Sequence, residues 1–311
     1  MRIIYMGTPD FAVPALEALA KSEHDVVAVV TQPDKARDRG KKVQFTPVKE
    51  KALEYDIPVY QPEKVKTNEE FYQQLVELAP DLIVVAAYGK ILPLSILELP
   101  KYGCVNIHAS LLPKYRGAAP IHRSIINGDK TTGVTLMYMA EGMDTGDMIL
   151  KGSLPIEPDD TYGKLHDKLA PLGGQLLLEA LEQIEAGTAQ RVPQNEAEAT
   201  HVHMIKNSDA GISFAEESAR VISCKIRGYD PAPGAFAFLG EEKIKLFASV
   251  YVDDSMTRQP GEIIGCDKHG LLVQGNGGTM RIREVQLSGK KRMSAADCFR
   301  GKPQLLNERF K

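Results

Sequence analysis

Leu82-Ile83-Val84-Val85-Ala86-Ala87 is the longest clean apolar stretch in the 311-residue chain. Six residues suit a β-strand and fall far short of the roughly 20 that a bilayer-crossing helix needs. Similar runs lie on either side, at 2–6, 26–31, 103–108 and 132–139, all rich in Val and Ile. Between them, 11–19, 47–55 and 71–78 carry helical spacing of apolar residues, and Pro47 sits where a first helical turn needs no amide donor. This β-α-β rhythm predicts a Rossmann-like α/β unit, a mainly parallel sheet with helices on both faces. A longer helix is expected from Tyr162 to about Ala186, with Leu165, Leu169, Leu172, Leu176, Leu177, Ala180 and Ile184 in steps of three and four. Pro171 and the Gly173-Gly174 pair predict a kink in it.

The pattern stops at Gly187. Residues 188–208 read as an irregular, polar linker, and 209–311 open with a helix, 216–227, before a Pro/Gly corner at 230–234. Five short strands follow, at 235–239, 243–252, 261–266, 270–274 and 279–286, the density of a small OB-like β-barrel. The expected organisation is therefore an α/β unit at 1–187, a linker at 188–208 and a barrel at 209–311.

Composition removes several classes. The apolar fraction of 43%, the charged fraction of 25% and ordinary Gly and Pro usage describe a folded globular chain. Four cysteines without a Cys-x-x-Cys suggest neither a disulfide framework nor a zinc site. The first residues read as a strand, without a signal peptide's apolar core and cleavage site, so a cytoplasmic location is expected. The net charge of −3 conceals an asymmetry, because the last 31 residues hold nine Lys/Arg against three Asp/Glu. A polyanionic partner would use such a basic tail, although a solvated face has the same composition.

In a parallel sheet, ligands gather beyond the carboxyl ends of the strands. There the chain places Asn106 and His108, two residues apart and so on one face of an extended segment. A histidine in that place could equally cap the strand. Next comes an apolar, proline-bounded loop, 111–120, suited to walling a pocket for a flat ligand or simply to packing. Gly142-Met143-Asp144-Thr145-Gly146 then forms a turn whose carboxylate could reach an imidazole, though Asp is also an ordinary turn former. No Gly-x-Gly-x-x-Gly follows the first strand and no P-loop occurs, which argues against nicotinamide dehydrogenases and P-loop enzymes. His201-x-His203 lacks further ligands at metal-binding spacing, so no metal is expected.

Asn106-x-His108-x-Ser110-Leu111-Leu112-Pro113-x-x-Arg116-Gly117 with Gly142-x-Asp144-x-Gly146 resembles the signature of the 10-formyltetrahydrofolate-dependent formyltransferases. Further stretches, Gly7-Thr8-Pro9-Asp10-Phe11, Thr31-Gln32-Pro33-Asp34, Arg39-Gly40-Lys41-Lys42, Pro47-Val48-Lys49, Ala118-Ala119-Pro120-Ile121 and Gly289-Lys290-Lys291-Arg292-Met293, resemble the branch acting on methionyl initiator tRNA. The resemblance implies formyl transfer from N10 of the folate cosubstrate to the α-amine of methionyl initiator tRNA, with Asn106, His108 and Asp144 as catalytic residues. Asp144 beside the imidazole would favour its protonated form. It also implies that Ser110, Leu111, Leu112 and Pro113, with Tyr88, Gly89, Lys90, Ile91 and Leu92, enclose the reduced pterin. The implied tRNA contacts are Arg37, Arg39, Lys41 and Lys42, in a 35–51 stretch of net charge +5, together with Lys290, Lys291 and Arg292. No membrane and no obligatory protein partner is implied.

Three readings compete: the same chemistry on glycinamide ribonucleotide, the same chemistry on an amino-sugar nucleotide, and a non-catalytic nucleic-acid-binding protein using the barrel alone. The first would need only the catalytic unit, the second has little use for the basic insertion, and the third leaves Asn106, His108 and Asp144 unexplained. The chain departs from the family in having no Trp. Tyr115, Phe214 and Ala232 stand where family members often have one; Tyr115 is expected to preserve the packing, whereas Phe214 and Ala232 predict a looser start to the second unit.

Overall fold

The computed structural model describes residues 1–37 and 42–311. It divides into two compact units, the first comprising Met1–Gly117, Gly133–Leu154 and His166–His201, the second Ala118–Thr132, Pro155–Leu165 and Val202–Lys311.

The strands of the first unit are β1 (Arg2–Gly7), β2 (Asp25–Val30), β3 (Lys35–Arg37), β4 (Lys42–Gln44), β5 (Val59–Tyr60), β6 (Leu82–Ala86), β7 (Cys104–His108), β8 (Arg116–Gly117), β9 (Thr131–Tyr138) and β10 (Met148–Pro155). Seven form one sheet in the order β10-β9-β7-β6-β1-β2-β5. The pairs β2–β5, β1–β2, β1–β6 and β6–β7 are parallel, whereas β9 runs antiparallel to β7. The predicted mainly parallel sheet is present. Leu82 to Ala86 are all buried, as a strand covered on both faces requires. Strand β10 is the second of the two strand patterns that flank the Asp144 turn, but its half-polar sequence, Met-Ile-Leu-Lys-Gly-Ser-Leu-Pro, leaves its bounds unread.

Helices α1 (Val13–Ala20), α2 (Pro47–Glu54), α3 (Glu69–Leu78) and α4 (Leu94–Leu97) accompany these strands, α5 (Pro120–Ile126) belongs to the second unit, and most of α6 (Tyr162–Glu185) returns to the first. Thr46 caps α2 by accepting from the Lys49 amide, and Asn68 caps α3 by accepting from Phe71. Helix α6 runs as one element through Pro171, where the sequence predicts a kink. Its glycine pair serves close approach, since a Cβ on Gly173 would lie 2.9 Å from Ile107 Cγ2 of β7, and one on Gly174 would lie 3.1 Å from Pro14 O. The helix thus seats directly against the strand carrying Asn106 and His108.

A short strand β11 (His201–Val202) straddles the division between the units, and in the second unit helix α7 (Ala219–Gly228) and helix α8 (Ala295–Gly301) accompany β12 (Ala235–Leu239), β13 (Glu242–Asp253), β14 (Ile263–Asp267), β15 (Gly270–Gly275), β16 (Gly278–Leu287) and β17 (Met293–Ser294). The antiparallel sheet has the order β12-β13-β16-β15-β14, with β17 on β16. Near the C-terminus, Phe310 pairs with Leu239 of β12 and Arg309 with Glu262 beside β14, so one segment ties both edges of the sheet. That closure gives the expected small barrel. Phe214 does not loosen it: the ring is fully buried and stacks on Phe310 at 5.2 Å between centroids. Another aromatic supplies the packing that a Trp would otherwise give.

Candidate active site

Strand β7 ends at the sheet's carboxyl edge beside β6, in register Val85 to Asn106, so the loop after β6 leaves from the same edge as His108. This brings the Tyr88–Leu92 loop and the Asn106–His108 pair together by topology alone. The loop is held from below. Tyr88 O accepts from Thr8 Oγ1 (3.1 Å) and Gln32 Nε2 (2.9 Å), while Lys90 Nζ donates to Pro62 O (2.5 Å) and Glu63 O (2.7 Å). Gly89 lies at φ +77° with Gln32 Nε2 2.4 Å from where a Cβ would stand, so only glycine suits that turn. Burial pushes the Tyr88 hydroxyl up to about 12, and that hydroxyl has no hydrogen-bond partner among the described residues. Ile91 is exposed on the same loop, as is Met143 on the turn of Asp144.

Asp144 is the hub. Its Oδ2 accepts from the Gly117 amide at 2.8 Å and stands 3.6 Å from His108 Nδ1, while Oδ1 accepts from Asn106 Nδ2 at 3.3 Å. The three residues singled out in the sequence therefore meet around one largely buried carboxylate. On the far side of the ring, His108 Nε2 lies 2.9 Å from Tyr115 O. A carbonyl oxygen only accepts, so Nε2 carries a hydrogen, and the Asp144 carboxylate faces the other nitrogen.

Two residues here occupy the left-handed backbone region although neither is glycine: Asp144 at φ 54° and Tyr115 at φ 62°. Such conformations cost on the order of 1–3 kcal/mol and persist only where the surroundings impose them. Gly146 shows how tightly the turn is packed, since a Cβ there would lie 1.8 Å from Tyr138 O.

The Ser110–Pro113 segment is built mainly for support. Ser110 Oγ donates to Lys114 O (2.6 Å), Thr135 Oγ1 donates to Ser110 O (2.7 Å), the Leu112 amide donates to Thr135 Oγ1 (3.1 Å) and Lys151 Nζ donates to Leu112 O (2.6 Å). Leu112 packs with Met137 and Met148, and Pro113 is buried. Leu111 is half-buried, with a methyl group 2.6 Å from where a Cβ on Gly133 would stand.

Sequence reasoning does not assign Arg116, Gln194, Glu196 and Thr200 a role. Arg116 is fully buried, yet it forms a two-point ion pair with Glu196 (2.7 and 2.9 Å) and donates through Nε to Gln194 Oε1 (3.0 Å). A charged residue inside the apolar 111–120 loop is the available signal for Arg116. Nothing in the polar composition of 188–208 singles out the other three.

Of the residues expected to meet tRNA, Arg39 and Lys41 lie outside the described residues. The flanks of that stretch, which carry no apolar periodicity, pair as an antiparallel ladder: Lys35 with Gln44, Ala36 with Val43 and Arg37 with Lys42. Asp34 and Lys49 form a largely buried ion pair at its root, joined by Gln61. In the second unit Lys290, Lys291 and Arg292 are all exposed, and Arg292 also makes ion pairs within the chain. It meets Asp230 at 2.6 and 3.2 Å, pairs with Glu284 and covers the Phe247 ring.

Residues 1–181 match the family model described as formyl transferase, and residues 204–303 match that described as formyl transferase, C-terminal domain. The chain belongs to the formyl transferase family. The methionyl-tRNA formyltransferase of Desulforamulus reducens is 49% identical over 303 residues, 97% of this chain and 95% of that protein. That of Caldanaerobacter subterraneus subsp. tengcongensis is 48% identical over 301 residues, 97% of each chain. Among solved structures, the sugar 3N-formyl transferase WlaRD shares the fold with a TM-score of 0.67 at 19% identity, covering 94% of this chain and 99% of its own. HypX from Aquifex aeolicus, in complex with tetrahydrofolic acid, gives a TM-score of 0.63 at 17% identity. That match covers 96% of this formyl transferase and 47% of HypX. At such identities these structures establish the fold alone.

Proposed function

We infer that this formyl transferase moves the formyl group of 10-formyltetrahydrofolate onto the α-amine of methionyl initiator tRNA, the modification that marks a tRNA for translation initiation. The observation that carries the chemistry is the convergence of Asn106 and His108 on Asp144 at the carboxyl edge of β7. Near-full-length relatives at 45–49% identity that bear the name methionyl-tRNA formyltransferase support the choice of amine. Its place of work is the cytoplasm, where charged tRNA meets the ribosome.

The attacking group is the substrate's own amine, so the protein needs no nucleophile of its own. A bond forms between the amine nitrogen and the formyl carbon, and the carbonyl oxygen gathers negative charge. An amide NH2 has two hydrogens, of which Asn106 spends one on Asp144. The second is available to the oxyanion, a donor of a kind worth roughly 3–4 kcal/mol in the transition state. The bond from carbon to N10 then breaks as N10 takes a proton and the amine gives one up. His108 is arranged for that transfer, with Nε2–H fixed on Tyr115 O and Nδ1 facing the Asp144 carboxylate, which stabilises positive charge on the ring while a proton is in transit. The loop at 88–92 and the main chain of 110–113 enclose the reduced pterin. No metal enters any step.

Arg37, Arg39, Lys41 and Lys42, with Lys290 and Lys291, supply cationic contacts to the tRNA backbone. Arg292, exposed beside them, supplies a further such contact. The test is incubation with 10-formyltetrahydrofolate and methionyl initiator tRNA beside methionyl elongator tRNA. Formyl-methionine recovered from the initiator alone is the expected result. Transfer to glycinamide ribonucleotide or an amino-sugar nucleotide, and to neither tRNA, overturns the assignment.

A further inference from the structure

We propose that Gln194, held in place by Arg116, is a positioning residue that sets the geometry of Asp144 for formyl transfer. The inference rests on the catalytic reading of Asp144 and goes beyond it, to residues outside the Asn-His-Asp set.

The Gln194 side-chain amide donates to two main-chain oxygens of the Asp144 turn, Asp144 O and Gly146 O, each at 2.8 Å. Its own oxygen accepts from Arg116 Nε at 3.0 Å, which fixes which end of the amide faces the turn. Arg116 in turn is pinned at its other edge by the two-point pair with Glu196. The next residue along the chain, Gly117, donates its amide to Asp144 Oδ2 at 2.8 Å. Arg116 therefore governs both grips on Asp144, one on its main chain through Gln194 and one on its carboxylate through Gly117.

A grip of this kind is needed because Asp144 sits at φ 54°. A turn with a strained non-glycine residue relaxes unless contacts over-determine it. A rotation of the main chain there would swing the carboxylate off Asn106 and His108, which it meets at 3.3 and 3.6 Å. The same segment holds the other strained residue. Thr200 accepts from the Tyr115 amide through Oγ1 and from the Arg116 amide through its carbonyl, both at 2.8 Å, and Tyr115 O is the oxygen facing His108 Nε2. Residues 194–200 thus secure both sides of the imidazole, although they lie about 50 residues beyond Asp144 in a stretch with no recognisable motif.

The test compares kcat and KM for both substrates in the full-length chain and in Gln194→Leu, Gln194→Glu, Asp144→Asn and the double variant Gln194→Leu/Asp144→Asn. Misplacing a reacting group by about 1 Å can lower turnover by about 100-fold, so each Gln194 variant should lose roughly 10- to 100-fold in kcat, with either KM changed less than about three-fold. Gln194→Glu keeps the acceptor for Arg116 but sets a carboxylate oxygen against the two main-chain oxygens, so it breaks the grip on the turn with Arg116 still paired and gives a second variant should Gln194→Leu fail to fold. In the Asp144→Asn background the Gln194→Leu loss should shrink to less than about three-fold, because the carboxylate it positions is already gone. A full additional loss in that background, or near-normal kcat in both single Gln194 variants, overturns the proposal. Failure of the catalytic reading itself looks different: Asp144→Asn alone would retain normal turnover.

Discussion

Asp144→Asn conserves size and removes one charge, and the structure sets the scale of the loss. The carboxylate Oδ2 stands 3.6 Å from His108 Nδ1, with side-chain exposures of 14% and 7%. At that distance, with an effective dielectric constant of about 20, a carboxylate and an imidazolium attract by about 5 kcal/mol, an upper limit equivalent to somewhat over three decades in rate. The Gly117 and Asn106 hydrogen bonds to the carboxylate already hold in the ground state and share its charge, so only the attraction gained as the ring takes up charge accelerates the reaction. A fall in kcat of roughly 10²- to 10³-fold is therefore expected. An asparagine can still accept from one of the two donors, so the fold should survive and KM for the folate should change little. Single-turnover transfer of a labelled formyl group to methionyl initiator tRNA, with a thermal melt on the same preparation, measures both. Turnover within about three-fold of the parent, in a variant that melts normally, refutes the electrostatic argument.

Three further outcomes are expected. Neutralising Arg39, Lys41 and Lys42 together should weaken tRNA binding and make its salt dependence shallower by up to about one unit of slope per lost phosphate contact, leaving folate affinity unaltered; unchanged tRNA binding would make the insertion a bystander. Phe214→Ala removes a fully buried ring from its stack on Phe310 and should destabilise the barrel by about 3–5 kcal/mol, read as a lowered melting midpoint of the second unit; a shift under about 1 kcal/mol would show that the core closes over the gap. Hydrogen bonds from Arg116 hold the Glu196 carboxyl below its usual range. Their contribution is complete above the ordinary carboxylate range and is lost as pH falls through the lowered value. The gap in melting midpoint between the parent and Glu196→Gln should therefore narrow on acidification, and a constant gap would refute the linkage.

Much of the fold is legible in the sequence because its strands bury both faces. Leu82 to Ala86 needs no partner information to be read as a central parallel strand, and the helices around it carry plain 3.6-residue spacing. The extent of strand β10 is not legible, since it is buried mainly at its start and alternates half-buried with exposed residues from there on. Asn106, His108 and Asp144 stand out because their residue types and strand-end positions imply chemistry. Gln194 does not, for a physical reason. Its work lies in two hydrogen bonds to main-chain oxygens, and main-chain groups leave no trace in a sequence. The same holds for the Gly117 amide on Asp144 and the Tyr115 carbonyl on His108. Half of this site is backbone, and its placement emerges only from tertiary structure.

The choice among amine substrates is legible in a different part of the chain from the chemistry. A sugar N-formyltransferase with the same fold across 94% of this chain shows that the shared architecture cannot by itself name the acceptor. In the proposed mechanism, the Asn106–His108–Asp144 groups would serve any primary amine brought to the carboxyl edge of β7. Between β2 and α2 the first unit carries a ladder, Lys35–Arg37 with Lys42–Gln44, rooted by the Asp34–Lys49 pair, in a stretch that holds seven Lys and Arg from 35 to 51. A small nucleotide sugar offers at most a few phosphate charges to such an array, whereas a tRNA acceptor arm offers one per nucleotide, so the array gains most from a polynucleotide. Acceptor choice and transfer chemistry should therefore be separable by mutation. Removing the array's positive charge should lower kcat/KM for methionyl initiator tRNA by at least about ten-fold, yet leave unchanged any slow formyl transfer to a small acceptor such as methionine methyl ester. Equal losses on both acceptors would mean that these cations act on the transfer step and not on the choice of amine.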